Sequence, residues 1–436
     1  METTLRKLKS IIPKKFFTAL QPRYHFFLAF CAGLYYWFPS RHLVVIGVTG
    51  TKGKTTVVEL LHEILSASGN KTASLSSYAF RVGSEDTRND KKMTMPGRFF
   101  TQQFLWKARH AGCKYAVLEV TSEGVAQFRH RFIHFHAAVM TNVAPEHIES
   151  HGSFERYLRA KLDLFFRMAH KDAIAVINKD DPQWERFAAS TSAKKVFYGK
   201  KMIEIDGKIK KIGNVKFGQE TIEFEIEGNA IKSKLEGEFN FYNICAALAV
   251  AEALHISFAK IAEAIKNFAG VPGRMEYVVR DPVSVIVDYA HTPDSLRAVY
   301  STIRAEKKAA GETSRLICVL GAAGGGRDHW KRPVMGKIAE EFCDEIIITN
   351  EDPYDEDPMS IIDAVGSGIH GGKKTHVKKI IDRKEAIREA LASASQGDVV
   401  MVTGKGSELF IMGPNGQKIP WDDRGVVREE WKKLKQ

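Results

Sequence analysis

The sequence is poor in cysteine, and what it has is scattered. Its five cysteines, Cys31, Cys113, Cys245, Cys318 and Cys343, include no C-x-x-C pair. Neither a zinc ribbon nor a disulfide scaffold is therefore expected, and buried free thiols in a reducing cytoplasm fit best. Low-complexity tracts and repeats at solenoid spacing are missing as well, which excludes disordered and repeat architectures. Long apolar runs are absent too. The uncharged stretch Phe26 to Phe38 has 13 residues, short of the roughly 20 that a bilayer-spanning helix needs. It has no small-residue cleavage site and leads straight into a buried strand of the domain behind it, which argues against a secretory signal.

Acidic residues are almost missing from the beginning of the chain. Residues 1–42 carry Arg6, Lys7, Lys9, Lys14, Lys15, Arg23 and Arg41 against Glu2 alone, which places half of the net charge of +12 there. The remainder is only mildly basic. That distribution suits a phosphate-handling enzyme better than a nucleic-acid-binding protein, so small-molecule substrates and no nucleic acid are expected. The segment around 24–38 has two readings. It is a helix docked on the domain behind it, the reading favoured here, or an interfacial anchor that brings residues 1–40 into weak contact with a membrane surface.

What is present is ordinary globular material, long enough at 436 residues for more than one core. Residues 43–48 (LVVIGV) read as a buried strand, followed by a Gly/Thr/Lys loop and a helical pattern over 55–68. Strand-like runs recur at 115–120, 137–141 and 173–177, separated by helical stretches, the signature of a mostly parallel sheet. Residues 202–235 change to short alternating pieces, expected as antiparallel strands at the sheet edge. A helix over about 241–254 leads towards GVPGR at 270–274, the best boundary. Beyond it, SVIVDY, RLICVL, EIIITN and DVVMVTG predict a second, smaller α/β domain.

The loop Gly50-Thr51-Lys52-Gly53-Lys54-Thr55-Thr56 has the chemistry of a phosphate cradle. Glycines permit a tight turn with free backbone N–H groups, Lys54 supplies a positive charge, and the Thr55 hydroxyl is a ligand for Mg²⁺. The strict G-x-x-x-x-G-K-[ST] spacing would need glycine where Val48 stands, but the order strand, loop, helix is the required one.

TGTKGKTT after an aliphatic strand resembles the Mur ligase and folylpolyglutamate synthase superfamily. Further motifs follow in the family's order: EVTSEG (119–124), TNVAPEHIESHG (141–152), YLRAKLDLF (157–165), NKDD (178–181), GEFNFYN (237–243), GVPGRME (270–276), VDYAHTPDSL (287–296), GAAGGGRDHWKRPVMG (321–336) and GKGSE (404–408). Within the superfamily DYAHTPDSL, the GGGRD…KRPVMG block, DPYDEDP at 352–358 and GKGSE are most similar to the branch that adds the third residue of the peptidoglycan stem peptide.

The resemblance implies an α/β fold: a P-loop-type central parallel-sheet domain over 43–270 and a smaller Rossmann-like C-terminal domain over 271–436, after a short basic and apolar segment, 1–42. It implies an ATP-dependent, cytoplasmic, monomeric ligase that makes an acyl phosphate from a muramoyl-peptide-like carboxylate and passes it to an amino acid. Catalysis would rest on Lys54, Glu119, His147 and Lys161, with two Mg²⁺ held by Thr55, Glu119, His147 and a carbamoylated Lys161. A carbamate turns that cation into an anion able to bind metal. ATP would meet Gly50 to Thr56, Asn243, Arg274, Asp288 and His291, with closure about 270–274 excluding water. Substrate contacts would come from Thr94, Pro96, Thr121, Ser122, Arg327, Asp352, Tyr354, Gly404 and Glu408.

Three departures from the family pattern stand out. The family's N-terminal uridine-binding domain is longer than the 40 or so residues before the first strand here. The D-N-P-R string of diaminopimelate-adding enzymes is Glu351-Asp352-Pro353-Tyr354, so tyrosine replaces the arginine that pairs with a distal carboxylate. The acidic residues around it would suit a cationic amine such as lysine or ornithine. Finally, GKGSE replaces GKGHE. The competing readings are a folylpolyglutamate-type ligase, a ligase on a lipid-linked precursor, and a non-catalytic nucleotide-binding module. The intact set from Lys54 to Lys161 argues against the last.

Overall fold

The computed structural model describes residues 14–91, 93–146, 151–168, 170–218, 221–309, 314–326, 329–371 and 376–435. The chain forms two compact units. One comprises Met1–Val143, Tyr157–Lys210 and Cys245–Ala264, the other Ala144–Arg156, Lys211–Ile244 and Ile265–Gln436.

The first unit opens with helix α1 (Lys14–Tyr35) and a short 3₁₀ turn, Pro39–His42. Strand β1 (Val44–Thr49) then leads through the glycine loop into α2 (Lys54–Ala67). There follow β2 (Thr72–Leu75), β3 (Ala79–Val82), β4 (Glu85–Arg88), α3 (Arg98–His110), β5 (Tyr115–Glu119), α4 (Ser122–Ala126), β6 (Phe135–Met140) and α5 (Phe154–Phe166). The unit's sheet is completed by β7 (Ile174–Asn178), α6 (Trp184–Ala189), β8 (Lys194–Tyr198) and β9 (Met202–Ile205). The strand order is β9-β8-β7-β6-β1-β5-β2-β3-β4.

Strands β8 to β2 in that order run parallel, and both faces are covered, which is why β1 and β5 are uninterrupted apolar runs. The register decides where chemistry can occur. Val48 pairs with Glu119 on one side and Val139 on the other, so β1, β5 and β6 end at the same edge of the sheet. A parallel α/β sheet presents its ligand site outside the carboxyl ends of its strands.

The expected antiparallel pieces are β10 (Lys208–Gly218), β11 (Thr221–Ile226) and β12 (Asn229–Ser233), paired as consecutive hairpins. Helices α7 (Glu238–Ala253) and α8 (Phe258–Asn267) follow.

The second unit carries a doubly wound sheet. Its elements are β13 (Glu276–Val279), β14 (Ser284–Asp288), α9 (Pro293–Ala309), β15 (Leu316–Leu320), α10 (Lys331–Phe342), β16 (Glu345–Thr349) and α11 (Pro358–Gly366). After them come β17 (His376–Ile380), α12 (Arg383–Ser393), β18 (Val399–Thr403), the β19–β20 hairpin (Phe410–Met412, Lys418–Pro420) and α13 (Asp423–Leu434). The order is β13-β14-β18-β15-β16-β17, parallel except for the edge strand β13. Alternate residues of each strand feed two cores: Ile286, Cys318, Ile346 and Met401 meet α9, α10 and α11, while Val287, Val319, Ile347 and Val402 meet α12 and α13. The expected α/β class and smaller C-terminal sheet domain are both present.

One expectation is corrected. Cys318 and Cys343 are not free thiols but a disulfide, with Cα atoms 6.1 Å apart. The β15–α10 crossover returns the end of the helix to the face of the strand it left, bringing together two cysteines 25 residues apart. Cys31, Cys113 and Cys245 are free.

Candidate active site

The phosphate loop is held open by its neighbours. Gly50 has φ +149°, and a Cβ there would lie 1.9 Å from Thr141 Oγ1, so only glycine fits. The β6 end grips the loop. Thr51 N–H donates to Asn142 O (2.8 Å), Lys52 N–H to Asn142 Oδ1 (2.9 Å), and Thr141 Oγ1 to Lys52 O (2.7 Å). Asn142 is held in turn, for Asp181 accepts the N–H of the next residue, Val143, at 2.7 Å. Val48, where the strict pattern wants glycine, is buried inside β1; the turn begins two residues later.

Gly53, in the left-handed region, precedes α2, whose first turn carries Lys54, Thr55 and Thr56. Lys54 Nζ donates to Gly50 O (3.1 Å) and Thr51 O (2.8 Å), so the charge lies over the cradle. Lys161, on α5 and 2% exposed, reaches the same Gly50 carbonyl at 2.6 Å. Its ammonium also lies 4.5 Å from the ring centre of Tyr157, whose hydroxyl is 2.7 Å from Thr51 Oγ1.

Glu119 closes β5 and is 2% exposed. Its Oε2 accepts from Thr55 Oγ1 (3.1 Å), Ser77 Oγ (2.9 Å) and Ser77 N–H (2.9 Å), and the two hydroxyls are themselves 2.8 Å apart. Three hard oxygen donors thus converge beside Lys54. That donor set fits Mg²⁺, which takes oxygen ligands and keeps waters. His147 lies outside the described residues.

Thr121 and Ser122, expected to contact substrate, come just after β5. Thr121 caps α4 by accepting Gly124 N–H (3.1 Å), and Ser122 is buried behind it. Gly124 faces Met95, between Thr94 and Pro96: a Cβ on it would lie 2.7 Å from Met95 Sδ. Arg129 locks the same motif from the other side by donating to Met95 O.

In the second unit the loops at the carboxyl ends of β14, β16 and β18 form another constellation. Asp288 accepts the N–H groups of Met275 (2.7 Å) and Ala290 (2.6 Å), which fixes the turn between them. Arg274 stacks over Tyr289 at 4.1 Å, and the Tyr289 hydroxyl donates to Glu408 at 3.3 Å. His291 Nδ1 lies 2.8 Å from Tyr289 O, while Lys331 donates to His291 O (3.2 Å).

At its centre lies Lys405, fully buried, which donates to Asp352 (2.7 Å) and to Glu408. Burial alone would pull Lys405 down; Glu408, Asp352 and Glu351 outweigh it and hold the ammonium above its ordinary range. Glu351 is buried with Oε2 unpartnered, and burial pushes its carboxyl up. Gly404, at φ +110°, passes beside it: a Cβ would sit 2.8 Å from Glu351 Oε2. Tyr354, at φ +52°, is tied through its N–H to Met412 O (3.0 Å), and Met412 N–H donates to Asp352 (2.8 Å).

Residues 48–251 match the Mur ligase middle domain, and residues 273–406 match the Mur ligase, glutamate ligase domain. A UDP-N-acetylmuramoyl-L-alanyl-D-glutamate–2,6-diaminopimelate ligase of Gloeobacter violaceus is 38% identical over 406 residues, covering 91% of this chain and 79% of that protein. The chain belongs to the Mur ligase family. The Bacillus cereus ligase of the same name is 35% identical over 412 residues, covering 92% and 81%. A solved structure of a ligase so named superposes with a TM-score of 0.60 at 30% identity, covering 90% of this chain and 79% of that one. The folylpolyglutamate synthase of Mycobacterium tuberculosis shares the fold at a TM-score of 0.69 and 19% identity, over 86% of this chain and 91% of that one.

This Mur ligase is an ATP-dependent enzyme of a family that uses ATP and Mg²⁺. Of the residues expected to act, the structure brings Gly50 to Thr56, Glu119 and Lys161 together, and Thr94, Pro96, Thr121 and Ser122 together. In the second unit it joins Arg274, Asp288, His291, Asp352, Tyr354, Gly404 and Glu408. Asn243 is buried, and its side-chain amide donates to Asn240 Oδ1 at 3.0 Å. Arg327 lies outside the described residues.

Sequence reasoning passed over Ser77, Asn142, Tyr157, Arg129 and Lys405. Ser77 and Tyr157 lie in strings with no phosphate signature, whereas Lys405 sits inside GKGSE and could have been singled out. The acidic loop is also less available than its composition suggests. Asp357 caps α11, Asp355 accepts Asn415 N–H (2.7 Å), and Glu356 pairs with Arg332 (2.8 Å). Only Glu351, Asp352 and Glu408 remain around Lys405.

Proposed function

We propose that this Mur ligase joins the carboxylate of a UDP-N-acetylmuramoyl dipeptide to a diamino acid, forming the tripeptide of the peptidoglycan stem while ATP becomes ADP and phosphate. The observation that carries the reaction is the convergence of Thr55, Ser77 and Glu119 on one oxygen beside Lys54. The names of its relatives carry the substrate.

A carboxylate is a poor electrophile, and phosphorylation supplies the leaving group that an attacking amine needs. Phosphoryl transfer asks the protein for alignment and charge neutralisation more than for covalent help. The loop's N–H groups and Lys54 would hold the phosphates. Thr94, Pro96, Thr121 and Ser122 would set the acceptor, with Arg129 holding Met95 in place. Bound Mg²⁺, held at Thr55, Ser77 and Glu119, would neutralise charge on the transferring group. A second ion would fall to His147 and a carbamoylated Lys161, the modification resting on the resemblance of its Y-x-x-A-K string to the family's. Residues 43–270 are read as the ATP and acceptor domain, and residues 271–436 as the source of the amine. Asn243, Arg274, Asp288 and His291 are assigned to ATP, and Arg327, Asp352, Tyr354, Gly404 and Glu408 to substrate.

Tyr354 in place of arginine favours a diamino acid without a distal carboxylate, its ammonium meeting Glu408, the partly exposed carboxylate of the Lys405 cluster. The enzyme is read as a cytoplasmic monomer whose residues 1–40 touch a membrane surface. A lipid-linked acceptor is the second reading, favoured by the exposed aromatic side chains of α1. Coupled ADP release across UDP-muramoyl peptides, a lipid-linked precursor, diaminopimelate, lysine and ornithine tests the assignment. ADP release that needs both a UDP-muramoyl dipeptide and a diamino acid, with hydroxylamine trapping a hydroxamate, is the expected result. Turnover only on the lipid-linked acceptor, or none on any pair, overturns it.

A further inference from the structure

Helix α1 is amphipathic in an inverted sense. Its small residues face inward: Ala29 and Ala32 are buried, and a Cβ on Gly33 would lie 2.8 Å from Phe38 and 3.2 Å from Phe132. Its large residues face out. Tyr24, Phe27, Phe30 and Leu34 recur every three or four positions, the spacing of one helical face, and all are exposed. Tyr35 is 70% and Trp37 78% exposed. Helix α3 extends the surface: exposed Phe99 meets Tyr35 edge-on with centroids 6.4 Å apart, and exposed Trp106 lies 6.4 Å from Tyr36.

So large a run of exposed rings marks a surface that something covers. The charged residues of α1, of the turn after it and of α3 are all basic. No acidic residue occurs between Glu2 and Glu59, while Arg23, Arg41, Lys107 and Arg109 are exposed on the same two helices and the turn after α1. Arg41 lies 5.1 Å from the Phe38 ring centre and Arg131 5.5 Å from that of Phe26, a cation-over-ring pairing suited to an apolar body below a charged layer.

Among the described residues no helix is long and apolar enough to cross a membrane. We propose that the outer face of α1, continued by Phe99 and Trp106, lies flat in the headgroup layer of an anionic lipid bilayer. The aromatic rings enter the acyl boundary and the arginines and lysines meet lipid phosphates. A second copy is a poorer occupant, because it would bring two surfaces of the same strong positive charge together. This deepens the membrane-surface reading of residues 1–40 and is independent of which substrate is joined.

Flotation of the full chain with vesicles decides it. Wild type co-floats with phosphatidylcholine vesicles containing phosphatidylglycerol and not with phosphatidylcholine alone. The triple variant Phe27→Ser, Leu34→Ser, Trp37→Ser loses roughly tenfold or more of that partition, since each buried apolar group contributes separately. It keeps its circular dichroism and its ADP release. As a second measurement, brominated lipids quench tryptophan fluorescence in wild type and much less in the double variant Trp37→Phe, Trp106→Phe. Absence of flotation, or flotation and quenching unchanged in the variants, overturns the proposal. So does a lipid-free dimer in light scattering that the triple variant dissolves, because the covering partner is then a second copy. Loss of ligation with flotation intact counts against the ligase reading alone.

Discussion

Thr55 and Ser77, 22 residues apart, hold their hydroxyls 2.8 Å from each other and aim both at the same oxygen of Glu119. One comes from the first turn of α2 and the other from the β2–β3 connection. The parallel pairing of β2, β5 and β1 brings their carboxyl ends to one edge, and that alignment makes three separate strings into one donor set.

Ser77→Ala removes one of those donors without charging or crowding the site. The apparent Mg²⁺ requirement for ADP release should rise about tenfold, as for a lost supporting ligand. Activity at saturating Mg²⁺ should fall much less. A titration of initial rate against Mg²⁺ checks this, and an unchanged half-saturation point would remove Ser77 from the metal site.

Lys161→Ala should abolish ligation, and added short carboxylic acids should restore part of it by replacing a carbamate. Rates measured with and without acetate or formate test the modification. Full activity without rescue would return Lys161 to a purely structural bond with Gly50.

Tyr354→Arg restores the guanidinium that can pair two-pronged with a distal carboxylate. The ratio of kcat/KM for diaminopimelate to that for lysine should rise by roughly tenfold or more, the range that one added polar contact supplies. Competition between the two amines in one reaction reads the ratio directly.

His62 on α2 is buried, with Nδ1 unpartnered, and burial, aided by Arg81, lowers it from 6.5 to about 4. Between those values the unfolded chain takes up a proton that the native state refuses. The contribution of His62 is therefore complete above pH 6.5 and falls as pH drops towards 4, by up to about 3 kcal/mol. Glu59, Glu236 and Glu306, whose carboxyls burial raises, titrate in both proteins over this range, so the test is the comparison: between pH 7 and pH 4.5 in urea unfolding, wild type should lose stability relative to His62→Leu.

Much of the site was legible because phosphate chemistry is local. A tight glycine turn with lysine and threonine must be contiguous, so Gly50 to Thr56 stood out, and Glu119 and Lys161 followed from motifs in order. Ser77, Asn142 and Arg129 were not legible, since each acts through a backbone or side-chain partner supplied by another strand. The acidic loop at 351–357 misled for the same reason. Its composition promised an open anionic surface, whereas capping, Arg332 and Lys405 engage most of it.

The alternation of apolar strands with amphipathic helices, the glycine loop and the order of the motifs were determined by the sequence alone: an α/β fold and a carboxylate–amine ligase. Only the tertiary structure decided which cysteines meet, that Lys405 neutralises the carboxylates of its loop, and that α1 turns its small residues inward and its rings outward. Hydrophobic period and turn chemistry are written between near neighbours. Pairing across strands depends on register and crossover, which appear only when distant segments pack.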